Sequence, residues 1–137
     1  MIILIKLILA HFMGDFMLQP KSWVIEKENL KAKSSKLYLH TLIHGILILL
    51  VLWDFKYWLL ALLLMSIHGI IDTIKLYAQK ESNKSLWFLI DQGLHILSIL
   101  ILWILFTDPE INPNILAENP GIWVYTAALI FITVVSS

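Results

Sequence analysis

The chain has 137 residues, of which 59% are hydrophobic and 15% charged, with a mean hydropathy of +0.82. An ordinary soluble domain is about 45–50% apolar and about 25% charged, so one membrane-embedded domain is expected, and a soluble or disordered chain is excluded. With no cysteine and a net charge of zero, disulfides, zinc ribbons and thiol nucleophiles are excluded, and no basic tail marks a nucleic-acid partner.

Five apolar stretches follow in chain order, over residues 1–18, 38–53, 57–77, 86–106 and 122–135. A membrane helix needs about 20 mostly apolar residues, and the third and fourth fit well. The second is short unless it starts earlier, with Ser34 or Ser35 as N-cap. None alternates apolar and polar residues as a membrane strand would. The first stretch carries Lys6 inside its apolar run and lacks a small-residue cleavage site, so it reads as a retained helix rather than a signal peptide. The expected fold is all-α, a polytopic transmembrane bundle. Residues 1–106 form its four-helix core, and residues 107–137 form an external loop and a short fifth span. That span either barely crosses or belongs to a longer protein, and it is a place for a homo-oligomer contact.

Lysine sets the orientation, since arginine is absent. Loop 19–37 holds Lys21, Lys27, Lys31, Lys33 and Lys36, and loop 78–85 holds Lys80 and Lys84, with Lys75 just before it. Loop 107–121 has Asp108, Glu110 and Glu118 and no lysine. The lysine-rich loops are therefore expected in the cytoplasm and the N-terminus outside an inner membrane. Trp53, Tyr57, Trp58, Trp103 and Trp123 are expected in an outer aromatic belt, and Trp23 and Trp87 in an inner one. Residues 22–33 mix apolar residues with Lys and Glu and suit a short helix on the inner surface.

The polar residues inside the spans carry the chemistry. All five histidines and three of the five aspartates fall there, in pairs four apart: His11 and Asp15, His40 and His44, His68 and Asp72, Asp91 and His95. Residues i and i+4 share a helix face. All four pairs sit near the cytoplasmic ends of their spans. His11, His44, His68 and His95 make a deeper layer, with Asp15, His40, Asp72 and Asp91 one turn nearer the cytoplasm. Imidazole and carboxylate are ligands for zinc, iron or manganese, and eight of them suit two divalent ions. Zinc in a dinuclear arrangement is the expectation; bundle-core di-metal sites are similar but favour Glu. A single His–Asp pair is as readily a local hydrogen bond, and a proton relay or polar contacts between helices remain alternatives.

Other residues share these faces. Lys75 lies three residues after Asp72 and either binds an anionic substrate or snorkels at the membrane edge. Gln19 and Gln92 either support ligands and substrate or cap the bundle. Gly14, Gly45, Gly69 and Gly93 each stand beside a paired residue and are expected to let the helices approach closely. Spans one and two resemble spans three and four as a weak internal repeat.

The strings His-Phe-Met-Gly-Asp-Phe-Met-Leu-Gln (11–19), His-Thr-Leu-Ile-His (40–44), His-Gly-Ile-Ile-Asp-Thr-Ile-Lys (68–75) and Asp-Gln-Gly-Leu-His (91–95) resemble the bacterial membrane family labelled domain of unknown function 3307, over about residues 5–105. More distantly, the His-x-x-x-Asp helix and the histidine-bearing second span are similar to an inner-membrane metal-dependent hydrolase family. All-helical zinc phospholipases C also carry His-x-x-x-Asp clamps, but add a His-x-x-x-Glu clamp that this chain lacks. The resemblance implies metal-dependent hydrolysis of a lipid-associated phosphate ester or pyrophosphate. Water activated at the metal is then the nucleophile, Asp15 or Asp91 the general base, and Lys75 the partner of the anion. A metal transporter or sensor, or an interaction protein with a structural metal, would use the same ligands.

Overall fold

The computed structural model of the protein describes residues 2–108. The expected fifth span, with Trp123, lies outside the described residues. Five α-helices account for most of the rest: α1 Ile2–Phe12, α2 Lys21–Leu30, α3 Ser35–Leu52, α4 Trp58–Ala78 and α5 Lys84–Thr107. No strand occurs among the described residues.

Three segments, Ser35–Leu52, Phe55–Ala78 and Glu81–Thr107, are long and apolar enough to cross a membrane. At 1.5 Å per residue the 21 residues of α4 reach about 31 Å, the thickness of a hydrocarbon core. The protein is therefore a membrane protein. The first apolar stretch is helical from Ile2 to Met17, but not as regular α-helix throughout. Eleven α-helical residues are followed by a wider π-type turn at Met13–Met17, and the chain then bends by 84° into α2. Pro20 stands immediately before α2; it cannot donate an N–H, and it holds the residue before it away from helical geometry. The polar α2 thus leaves the end of the first apolar helix at a sharp angle, where a surface helix is expected.

Local chemistry sets the other boundaries. Ser34 Oγ accepts from the Lys36 N–H at 3.2 Å, so α3 starts early and reaches its 18 residues. It ends at Trp53 in the left-handed region (φ 52°), whose N–H donates to the Leu49 carbonyl. The Asp54 carboxylate accepts from the Lys56 N–H at 3.0 Å and starts the tight turn before α4.

α1, α3, α4 and α5 pack as a closed ring, each against two neighbours. Toward one end the interior is wholly apolar, built from Leu7, Ala10, Ile48, Leu52, Leu60, Leu64, Ile99 and Trp103 among others. The opposite faces expose Leu42, Ile46 and Leu50 on α3 and Leu97, Ile101 and Leu105 on α5, surfaces for lipid. Trp103 does not belong to the aromatic belt; it follows His95 and Ile99 on the inward stripe of α5 and is buried. Trp53 and Trp58 are exposed at the α3–α4 turn.

The glycines divide. A Cβ on Gly45 would lie 2.7 Å from Met65 Sδ, and one on Gly69 would lie 3.0 Å from Thr41 Cγ2, so both hold α3 against α4. Gly93 meets nothing within 4 Å and is exposed, so it plays no part in close packing. Gly45→Val should therefore destabilise the bundle by about 1–3 kcal/mol through overpacking, lowering the unfolding midpoint in detergent, while Gly93→Val should leave it unchanged.

Candidate metal centre

The site occupies the end of the bundle at which α2 and the α4–α5 connection lie. The π-type turn makes it possible. It widens the backbone where α1 ends, with the Leu18 N–H donating to the Met13 carbonyl five residues back, and such turns are frequent at functional sites. Asp15 sits in this turn and points into the ring. Gly14 clears the way, since a Cβ there would lie 2.5 Å from the His44 imidazole.

All eight paired residues converge. Asp15 Oδ1 lies 3.0 Å from His44 Nε2, 3.2 Å from His40 Nε2 and 3.5 Å from His68 Nε2. Its Oδ2 accepts from Gln92 Nε2 at 3.0 Å and lies 3.6 Å from His11 Nε2. One carboxylate thus touches side chains of α1, α3, α4 and α5. Asp72 forms a second focus, with Oδ1 3.3 Å from His95 Nε2 and Oδ2 3.6 Å from both His40 and His68. Asp91 Oδ1 lies 3.3 Å from His95 Nε2. Every histidine therefore presents Nε2 to the centre. The His44 and His68 rings stack with centroids 3.6 Å apart, and His68 and His95 with centroids 4.1 Å apart.

The deeper layer lines a small cavity. His11, His44, His68 and His95 close it on the polar side, and Leu7, Ile48, Leu64 and Ile99 on the other. Its volume of about 20 Å³ is room for one water or ion. His40 lies in the layer of the carboxylates.

Three donor sets have ligand atoms within 4.8 Å of one another: His11–Asp15–His44–His68, His40–His68–Asp72 and Asp15–Asp91–His95. Each has the nitrogen and oxygen donors that divalent transition metals accept. His40 Nδ1 and Asp91 Oδ1 are buried without a hydrogen-bond partner. Asp91 Oδ1 has only the His95 imidazole beside it, and a buried carboxylate oxygen is costly unless a cation or a proton meets it.

Lys75 reaches Asp91 Oδ2 at 3.5 Å, where Gln92 Nε2 also donates at 3.2 Å. Gln92 Oε1 lies 3.1 Å from His11 Nε2, so Gln92 orients both ends of the cluster. Gln19 donates to the Asp15 backbone carbonyl at 3.3 Å. Lys27 was not expected here. Counted with the loop lysines, it is instead buried; its ammonium donates to Gln19 Oε1 and lies 3.4 Å from Asp72 Oδ2. One signal could have found it: Lys27 lies four residues after Trp23 and three after Val24, on the half-buried face of α2, where a docked helix would place an apolar residue.

The chain matches the family described as protein of unknown function (DUF3307) over residues 3–120. It belongs to this family. No curated protein and no solved structure matches it, so the more distant likeness to metal-dependent hydrolases has no counterpart in these comparisons. All eight convergent residues of this DUF3307 member fall within the matched region.

Asp15→Ala should be the most damaging single change at the site. It strands imidazoles of three helices and the Gln92 amide, and removing one partner of a buried charged network costs about 3–5 kcal/mol. Thermal unfolding in detergent checks this. Gly14→Ala should cost less and act by displacing His44.

Proposed function

We propose that the protein is a membrane-embedded, metal-dependent hydrolase acting on a lipid phosphate at the cytoplasmic face of the inner membrane. The observation that carries this reading is the convergence of five imidazoles and three carboxylates in one buried cluster. Ionisable groups at membrane depth are expensive and functional by default. Eight of them with Nε2 and carboxylate oxygens aimed at one point exceed what helix association needs.

His11, Asp15, His44 and His68 would hold one ion. The set His40–His68–Asp72 shares His68 with the first, and one Nε2 binds one ion, so a second ion would have His40 and Asp72 as its own donors. Zinc suits these donors. Bound there, it would supply Lewis acidity and lower the pKa of water. Asp15 is common to two donor sets and suits a ligand. That leaves Asp91, whose Oδ1 faces His95 Nε2, as the general base. The water oxygen bonds to phosphorus, and the bond from phosphorus to the leaving oxygen breaks. Asp91 takes the proton of the water and returns one to the leaving oxygen. Gln92 orients Asp91 and Asp15, and Lys75 steadies the anion.

The lysine-rich segments support a cytoplasmic site and an external N-terminus. Lys84 pairs with Glu28 at 3.2 Å and Lys31 lies 5.2 Å from the centroid of the Tyr77 ring, so α2 covers that end of the bundle. The apolar interior at the other end supports hydrolysis over ion transport, since it lines no polar path.

The purified protein should carry stoichiometric metal, reduced in His68→Ala and Asp72→Ala. Elemental analysis showing no such metal in the wild type would sink the reading. Asp91→Asn should keep the metal and lose phosphate release from lipid phosphates by about 10²–10⁴-fold, the usual contribution of a general base.

A further inference from the structure

We propose that Lys27 is a second anion-binding residue and that, with Lys75, it restricts the substrate to a lipid with a terminal phosphate or diphosphate rather than a phosphodiester. This rests on the hydrolase reading and narrows its substrate class.

Lys27 is the buried residue of α2, and its side chain is only 7% exposed. Lysine rarely gives up water to this extent without a task or a partner. Its carboxylate partner, Asp72, is already met by three histidines. The two ammonium groups come from different helices and address different carboxylates, Lys27 on Asp72 and Lys75 on Asp91. Both carboxylates lie 3.3 Å from the same atom, His95 Nε2. The two ammonium groups thus pair with neighbouring carboxylates of one cluster, which sets two cations beside the donor groups.

Charge and shape then select the anion. The cluster holds three carboxylates against two ammonium groups. Two divalent ions would leave a surplus of three positive charges. A phosphate monoester or a diphosphate brings two or three negative charges and offsets it, whereas a phosphodiester brings one. Uncompensated charge at membrane depth is costly. A terminal phosphate also offers three unesterified oxygens, enough for both lysines and the metal side.

The test uses the full chain in detergent, loaded with zinc. Binding of inorganic phosphate is followed by calorimetry. Hydrolysis is compared on a short-chain lipid phosphate monoester, the matching diphosphate and a dialkyl phosphodiester. The wild type should favour the terminal phosphates by about a hundredfold or more in kcat/KM. Lys27→Met should weaken inorganic phosphate binding and raise KM for terminal phosphates about tenfold, the scale of one lost charge-assisted contact, with metal content unchanged. Lys27→Arg should retain binding, and Lys27→Gln, which keeps a polar contact to Gln19, should behave as Lys27→Met if the latter fails to fold. Unchanged phosphate binding in the folded, metal-loaded neutral variants, or a preference for the phosphodiester, overturns the proposal while the hydrolase reading stands. Lys27-dependent phosphate binding without any hydrolysis sinks the hydrolase reading and keeps the anion site. Absence of both metal and phosphate binding overturns the two together.

Discussion

The carboxylate of Asp15 is the contact on which the bundle turns. Lipid tails are as apolar as leucine, so membrane helices gain little from hiding apolar faces from one another. What specifies their arrangement is close packing and polar contact. Asp15 supplies the polar contact for the whole ring, touching imidazoles of α1, α3 and α4 and the Gln92 amide of α5. The small residues Gly14, Gly45 and Gly69 supply the close approach. An apolar end of Leu, Ile and Trp completes the fold. The same carboxylate that orders the helices therefore also organises the cluster of donors.

That position depends on a departure from regular helix. A continuous α1 would carry Asp15 one residue per 100° around a narrow cylinder. The π-type turn widens the cylinder at Met13–Met17 and ends the first crossing early. The chain must then turn, and Pro20 lets it leave at 84°. The outcome is that α2, a helix too polar to cross, lies against the open end of the ring and lends it Lys27. The sharp bend after Met17 and the buried lysine are two consequences of one local geometry.

Much of the site was legible in the sequence because spacing alone carries it. Residues four apart share a helix face, and four such pairs at matching depths leave few arrangements other than a common centre. Asp15, Asp72 and Asp91 meet the five histidines as that argument requires. Three features were not legible. Lys27 falls among loop lysines and its burial depends on how α2 docks. Gly93 follows the pattern of the other glycines by position but faces outward, because at about 100° per residue it lies on the face of α5 opposite Asp91 and His95. Trp103 has the composition of a belt residue, yet shares the inward stripe with His95 and Ile99.

By itself, the sequence determined that this chain enters a membrane as helices, and which eight side chains are too polar to face lipid. Both follow from transfer free energies and from the 3.6-residue period, which are local properties. Only the tertiary structure decided that Asp15 and Asp72 are the two foci, that Gln92 bridges Asp15, Asp91 and His11, and that a lysine from the covering helix joins them. The longest of those relations span separations of 45 to 81 residues, and contacts at such distances depend on how helices dock rather than on the period within any one of them.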